Sequence, residues 1–148
     1  MTVTGQPLYP AILPPDIEHL AQAYLSTRMA VPAGTRLPKT PAGQVLPNPF
    51  LRLEYGGGRQ VNEVEFEIDT ILHSYHPDEV VASENCRKAF AHMVGARGLT
   101  VNGWFISGTQ GTSLPHRHSD PQVPLPRYRA MVCWRIQGQV LAPDTITP

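Results

Sequence analysis

Cysteine is scarce in this sequence, and so is any excess of one charge. Cys86 and Cys133 are the two cysteines, too few for a disulfide framework and without the CxxC spacing of a zinc or redox motif. Both are expected as reduced core thiols. Twelve basic and twelve acidic residues cancel, so net charge selects neither nucleic acid nor an anionic membrane surface as a partner. No apolar run approaches the roughly 20 residues that span a bilayer. The start, MTVTGQPLYP, lacks the basic and greasy regions of a signal peptide. The expectation is a protein made and kept in the cytosol, with no membrane partner. Catalytic signatures are missing too: there is no GxSxG elbow and no HExxH helix.

What the chain has in abundance is proline, 16 residues in 148, together with 12 glycines, against a usual proline content of roughly 5%. These residues cluster, which marks loops around one core rather than general disorder. Residues 1–15 hold four prolines and no periodicity, so they read as an N-terminal arm on the surface or on a neighbour. Residues 30–49 hold five prolines with Arg36 and Lys39 as the only charges. Residues 107–126, from SGTQGTSLPHRHSDPQ onward, read as a second long loop. Loops of this length in a compact domain are usually functional or disordered. They are therefore candidate partner-contact segments, through Arg36 and Lys39 in the first and His116, Arg117 and His118 in the second. Residues 141–148 form a C-terminal tail bracketed by Pro143 and Pro148.

Between these segments the hydrophobic pattern is regular. Ile17, Leu20, Ala21, Tyr24 and Leu25 make one apolar stripe, predicting a helix over about residues 15–29. A short strand over 50–55 is followed by GGGRQ. No Lys-Ser or Lys-Thr follows these glycines, so they predict a hairpin turn rather than a phosphate cradle. The chain is organised around residues 61–98. Here Val64, Phe66, Ile68 and Leu72 alternate with Glu63, Glu65, Glu67 and Asp69, the period of a half-buried strand. Ala82, Cys86, Ala89, Phe90, Met93 and Val94 then recur at helical spacing. Asp78 and Glu79 favour the helix N-terminus, Glu84 and Lys88 form an i,i+4 pair, and Gly95 and Gly98 offer a left-handed exit. Further strands are predicted over 104–106 and 127–140. The fold expected is one α+β domain over 1–148: a mixed, largely antiparallel four-stranded sheet, two main helices on one face, and long Pro/Gly-rich loops.

The last strand answers the central one in charge. Its polar face carries Arg127, Arg129 and Arg135, and opposite charges on neighbouring strands contribute roughly 0.2–1 kcal/mol each. The two strands are expected to be sheet neighbours or to meet between subunits; the alternative is that both rows are simply solvated. The carboxylate row is a poor magnesium site, because residues two apart on a strand lie about 7 Å apart. His116, His118 and Asp120 alternate as zinc ligands do on an extended segment, but nothing else in the sequence completes their coordination. No catalytic, cofactor or metal residue is assigned.

In their order, the PDIEHLAQAYLSTRM helix, the PNPFLRLEYGGGRQ strand and turn, the EVEFEIDTILHSYHPDEV strand leading into an alanine-rich helix, and the closing PRYRAMVCWRIQG strand carry a family likeness. Over residues 16–138 the chain resembles the tail terminator (tail completion) proteins of long-tailed phages, particularly those infecting actinobacteria. That resemblance implies an α+β subunit of a homohexameric ring at the head-proximal end of the tail, assembled in the host cytoplasm and carried in the virion. Such a ring ends polymerisation of the tail tube protein, docks the head-tail connector protein, and lets DNA through its lumen. Glu63, Glu65, Glu67, Asp69, Arg127, Arg129 and Arg135 are then candidates for the subunit interface or lumen. Two other readings stand beside it: another neck component, such as an adaptor or stopper, and a small metal-dependent enzyme using His116, His118 and Asp120.

Overall fold

The computed structural model describes residues 1–146, so Pro148 at the end of the expected tail lies outside the described residues. The elements are β1 (Ala11–Leu13), α1 (Ile17–Ser26), β2 (Ala33–Gly34), β3 (Phe50–Gln60), β4 (Glu65–Tyr75), α2 (Glu79–Val94), β5 (Thr100–Val101), β6 (Trp104–Arg117), β7 (Arg127–Gln137) and β8 (Gln139–Leu141). A six-stranded sheet runs β2-β3-β4-β7-β6-β5, and a separate ribbon pairs β1 with β8. Among the described residues, only the β2–β3 pairing is parallel. None of the described helices is long and apolar enough to cross a membrane.

The class is α+β with two helices, but the expected four-stranded sheet is corrected to six strands plus a two-stranded ribbon. The two added strands are the two-residue β2, inside residues 30–49 expected as loop, and the two-residue β5, between α2 and β6; three further local misreadings concern the extent of the other strands and the ribbon. Residues 107–117, expected in a loop, belong to β6. The glycines there are set by packing: a Cβ at Gly111 would run into the Phe90 ring, and one at Gly108 would lie 3.3 Å from the Arg135 Cβ. The GGG run is no hairpin turn. It lies inside β3, where the register slips between Tyr55 and Gly58 and Gly57 takes φ +112°, a bulge that only glycine enters without strain. The reversal comes at residues 61–64, where Asn62 Oδ1 accepts from the N–H groups of Val64 and Glu65. Finally, the expected last strand over 127–140 breaks at Gly138, and its end with Leu141 of the tail pairs as β8 with β1 of the arm, Ala11 opposite Leu141 and Leu13 opposite Gln139.

Both helices begin as their sequences dictate. The Asp16 carboxylate caps α1 by accepting from His19 N–H and the His19 ring. Asp78 caps α2 through Val80 N–H at 2.9 Å, and Lys88 reaches Glu84 at 2.9 Å. Of the two glycines after α2, Gly98 takes the left-handed conformation at φ +87°, while Gly95 remains right-handed at φ −73°. One face of the sheet, with Leu51, Leu53, Leu72, Val132, Trp134 and Ile136, meets Leu20, Ala21 and Leu25 of α1 and Cys86, Ala89 and Met93 of α2. Each such large side chain contributes roughly 1.5–3 kcal/mol on burial. Trp134 fixes the layer: its indole N–H donates to Met93 O at 2.7 Å, and its ring meets Tyr24 edge-on at 5.7 Å. Tyr24 in turn donates to His92 O at 2.9 Å, which ties α1 to α2. With the helices on one side, alternate residues of β3, β4 and β7 are left on the other.

Candidate interaction surface

The outer face carries the charged rows. In the β4–β7 register Glu67 lies opposite Arg135, Asp69 opposite Cys133, His73 opposite Arg129 and Tyr75 opposite Arg127. The two strands are sheet neighbours, as the charge pattern predicted. The rows are nevertheless offset. The carboxylates occupy the start of β4, whereas Arg127 and Arg129 stand opposite its far end. Glu63 falls in the turn before β4 and is exposed, so three carboxylates rather than four lie on the strand.

Two of those carboxylates, Glu65 and Glu67, are engaged within the chain. Glu65 accepts from Asn62 Nδ2 at 3.0 Å and Ser107 Oγ at 2.8 Å. These two bonds, with Arg135 beside it, hold its carboxyl below the usual range. Arg135 adds a long hydrogen bond from Nη2 to Oε1 at 3.4 Å. Its buried Nε, 3.4 Å from Oε2, makes a charge contact without hydrogen-bond geometry. Glu67 turns to Arg59 of β3, which donates from Nε at 3.1 Å and Nη2 at 2.9 Å. Glu65 and Glu67 are thus paired, one to each flanking strand.

At the other end of this face the two proline-rich segments converge. Arg127 is buried at the head of β7 and acts as a clamp. Its Nε donates to His118 O at 2.7 Å and its Nη2 to His118 Nδ1 at 2.5 Å. Nη1 lies 3.4 Å from both Asp120 Oδ2 and His73 Nδ1. Tyr75 O–H also reaches Asp120, at 3.2 Å. A guanidinium only donates, so both histidine Nδ1 atoms accept, and His73 carries its proton on Nε2. That nitrogen is buried without a hydrogen-bond partner, with Glu54 Oε1 at 3.7 Å. Burial, opposed by Glu54 and assisted by Arg127, Arg52 and Arg129, lowers the His73 pKa to about 4. Burial likewise raises that of Tyr75.

Residues 118–126 fold back over the sheet from this clamp, burying Val123. They face residues 35–45 across an open cleft of about 450 Å³ lined by Arg36, Lys39, Arg52, Asp120 and Gln122. The five expected loop contacts therefore separate. Arg36 and Lys39 are exposed on the first loop. His116 and Arg117 belong to the end of β6, with Arg117 turned to Glu79 of α2 at 3.0 Å. His118 is tied to Arg127. His118 and Asp120 converge on a cation that the chain itself supplies, so a metal centre built from them would have to displace the Arg127 clamp.

Sequence reasoning did not assign His73, Tyr75 or Asp120 to this cluster. The available signal was an arginine opening the outward row of β7, a few residues after His118 and Asp120. Cys86 is in the core as expected, its thiol pushed up to about 12 by burial. Cys133 is corrected: it is half-buried on the outer face, where burial and then Asp69 and Glu67 push it up to about 11. No protein-family model matches the chain, and no curated protein matches it significantly.

Proposed function

We propose that this chain is a structural subunit of a ring that caps the head-proximal end of a long-tailed phage tail, ends tube polymerisation and presents the docking surface for the head-tail connector. The observation that supports it best is the one-sided build of the subunit. Both helices cover one face of the sheet; the other face is finished at one end by two long loops and left open over its paired charges. A sheet face left to solvent is common in antiparallel folds, but a ring subunit needs separate surfaces for its neighbours, the tube and the connector, and this face with its flanking loops offers them. The order of elements over residues 16–138 supports the same reading. The paired carboxylates fit a lumen or interface through which DNA passes without adhering, because affinity for phosphate comes mainly from unneutralised cations.

The test is mass and symmetry. Native mass spectrometry and negative-stain images of the purified chain are expected to show a six-membered ring, and a chain that stays monomeric or dimeric at every concentration reached would count against it. Capture by the tail tube protein is expected as well. Capture by the portal alone would assign the ring to another part of the neck.

A further inference from the structure

The two edges of the six-stranded sheet are finished differently. At one edge, β2 covers the start of β3, the bulge at residues 55–58 breaks the ladder, and Glu18 of α1 accepts the Tyr55 N–H at 2.9 Å. Arg52, Glu54 and Arg59 add charge. These are the usual devices that keep an edge from pairing with another chain. The opposite edge is β6. Its partner β5 reaches only Trp104 and Phe105, and Leu99 and Gly98 then take the N–H and C=O of Ile106. Among the described residues, no strand pairs with β6 on that side from Ser107 onward. From Trp104 to Pro115 this strand contains no charged residue, and Leu114 is exposed. Its bulges and Pro115 limit the pairing length without closing the edge.

The same subunit carries an extended segment with no partner. Residues 1–10 have no regular structure, residues 1–15 carry no charged side chain, and Val3, Leu8 and Tyr9 are 80%, 94% and 60% exposed. The arm leaves from Ala11, at the end of the β1–β8 ribbon opposite Leu141. The other end of the ribbon, Leu13 with Gln139, abuts Gly138 and the sheet. The arm therefore starts at the tip that points away from its own core. Ten residues span up to about 33 Å when extended, enough to reach across a neighbour.

We propose that the N-terminal arm of one copy adds as a strand, through Met1–Thr4, to the open β6 edge of the next copy at about residues 107–113, with Leu8 and Tyr9 packing beside it. Neither segment has a charged side chain, so apart from the Met1 ammonium at the free end of the arm no ion must be desolvated to join them, and main-chain hydrogen bonds supply the affinity. Donor and acceptor are different surfaces of one subunit. The contact is head-to-tail, the type that closes rings or runs on as filaments. The inference rests on the ring reading for its closure at six, but not for the contact itself.

Two full-length variants test it. Val3→Pro with Thr4→Pro spoils the donor and keeps the edge; Gln110→Lys with Thr112→Lys spoils the edge and keeps the arm. Each alone is expected to lose the oligomer seen for the unmodified chain by native mass spectrometry, while an equimolar mixture regains a one-to-one dimer and nothing larger. Variants that still form the parent oligomer overturn the arm contact and leave the ring reading standing. Two monomeric variants whose mixture also stays monomeric overturn it, and a monomeric parent chain overturns both. Complementing variants from a parent that forms filaments or dimers uphold the arm contact and remove the six-membered ring.

Discussion

His73 and Arg127 show how one buried cation organises a segment that looks in sequence like a loose polar loop. HRHSD reads as a set of metal ligands or as solvated surface, because the residue that captures His118 and Asp120 lies several positions later, at the head of β7. What the sequence conceals is that Arg127 points into the cluster on the outer face, where His73 and Tyr75 are also buried. The consequence is a pH dependence with a definite sign. His73 titrates near 6.5 when unfolded and at about 4 in the fold, so between those values the unfolded chain binds more protons. Stability is full above about pH 6.5, falls as pH drops toward 4, and loses nothing further from this group below that. The separation corresponds to at most roughly 3 kcal/mol. Glu54, facing His73 from β3, opposes the depression, while Arg52, Arg127 and Arg129 reinforce it. Denaturant midpoints measured across this range should decline with acid in the parent chain and flatten in His73→Phe; equal slopes would assign the acid sensitivity to other groups.

Among the elements, those with one strong period were legible and those built on glycine were not. β4 and α2 show in the sequence because their apolar residues repeat at two and then at three to four positions. β6 does not, since Gly108 and Gly111 read as breakers, although each is small because Arg135 or Phe90 passes close by. The ribbon was equally hidden, as three-residue strands such as β1 and β8 leave too short a pattern to detect. Its docking depends on Gly138, where a Cβ would collide with Ile12, lie 2.7 Å from the Phe66 ring and sit 2.9 Å from Leu13 O. Gly138→Val should therefore lift the ribbon off the sheet, at a cost of roughly 1–3 kcal/mol for the overfilled site. Hydrogen exchange is expected to quicken at residues 11–13 and 139–141 while α1 and α2 keep their protection. Unchanged exchange in the ribbon would mean that the backbone absorbs the added side chain in place.

At the scale of the whole molecule, what must be decided is whether the charged face is read by a neighbour or only wetted. Reversing Glu65 alone would confuse the two, because it would abandon Asn62 and Ser107 and set a cation against Arg135. The Arg59–Glu67 pair allows a cleaner test: both residues stand on adjacent strands in direct register, with Arg59 mostly exposed and Glu67 about a quarter exposed. Exchanging them, as Arg59→Glu with Glu67→Arg, keeps an ion pair in the same place and inverts the polarity presented outward. Such surface pairs contribute roughly 0–1 kcal/mol, and the exchanged arginine also stands opposite Arg135, where like charges destabilise modestly, so the monomer should unfold within about 1 kcal/mol of the parent. If the face meets a neighbouring subunit or lines the ring, like charges are brought together there. The swapped chain should then lose the oligomer in native mass spectrometry under conditions where it remains fully folded. A swapped chain that assembles as the parent does would make this face solvated surface, leaving the β6 edge and the two converging loops as the surfaces to test for a partner.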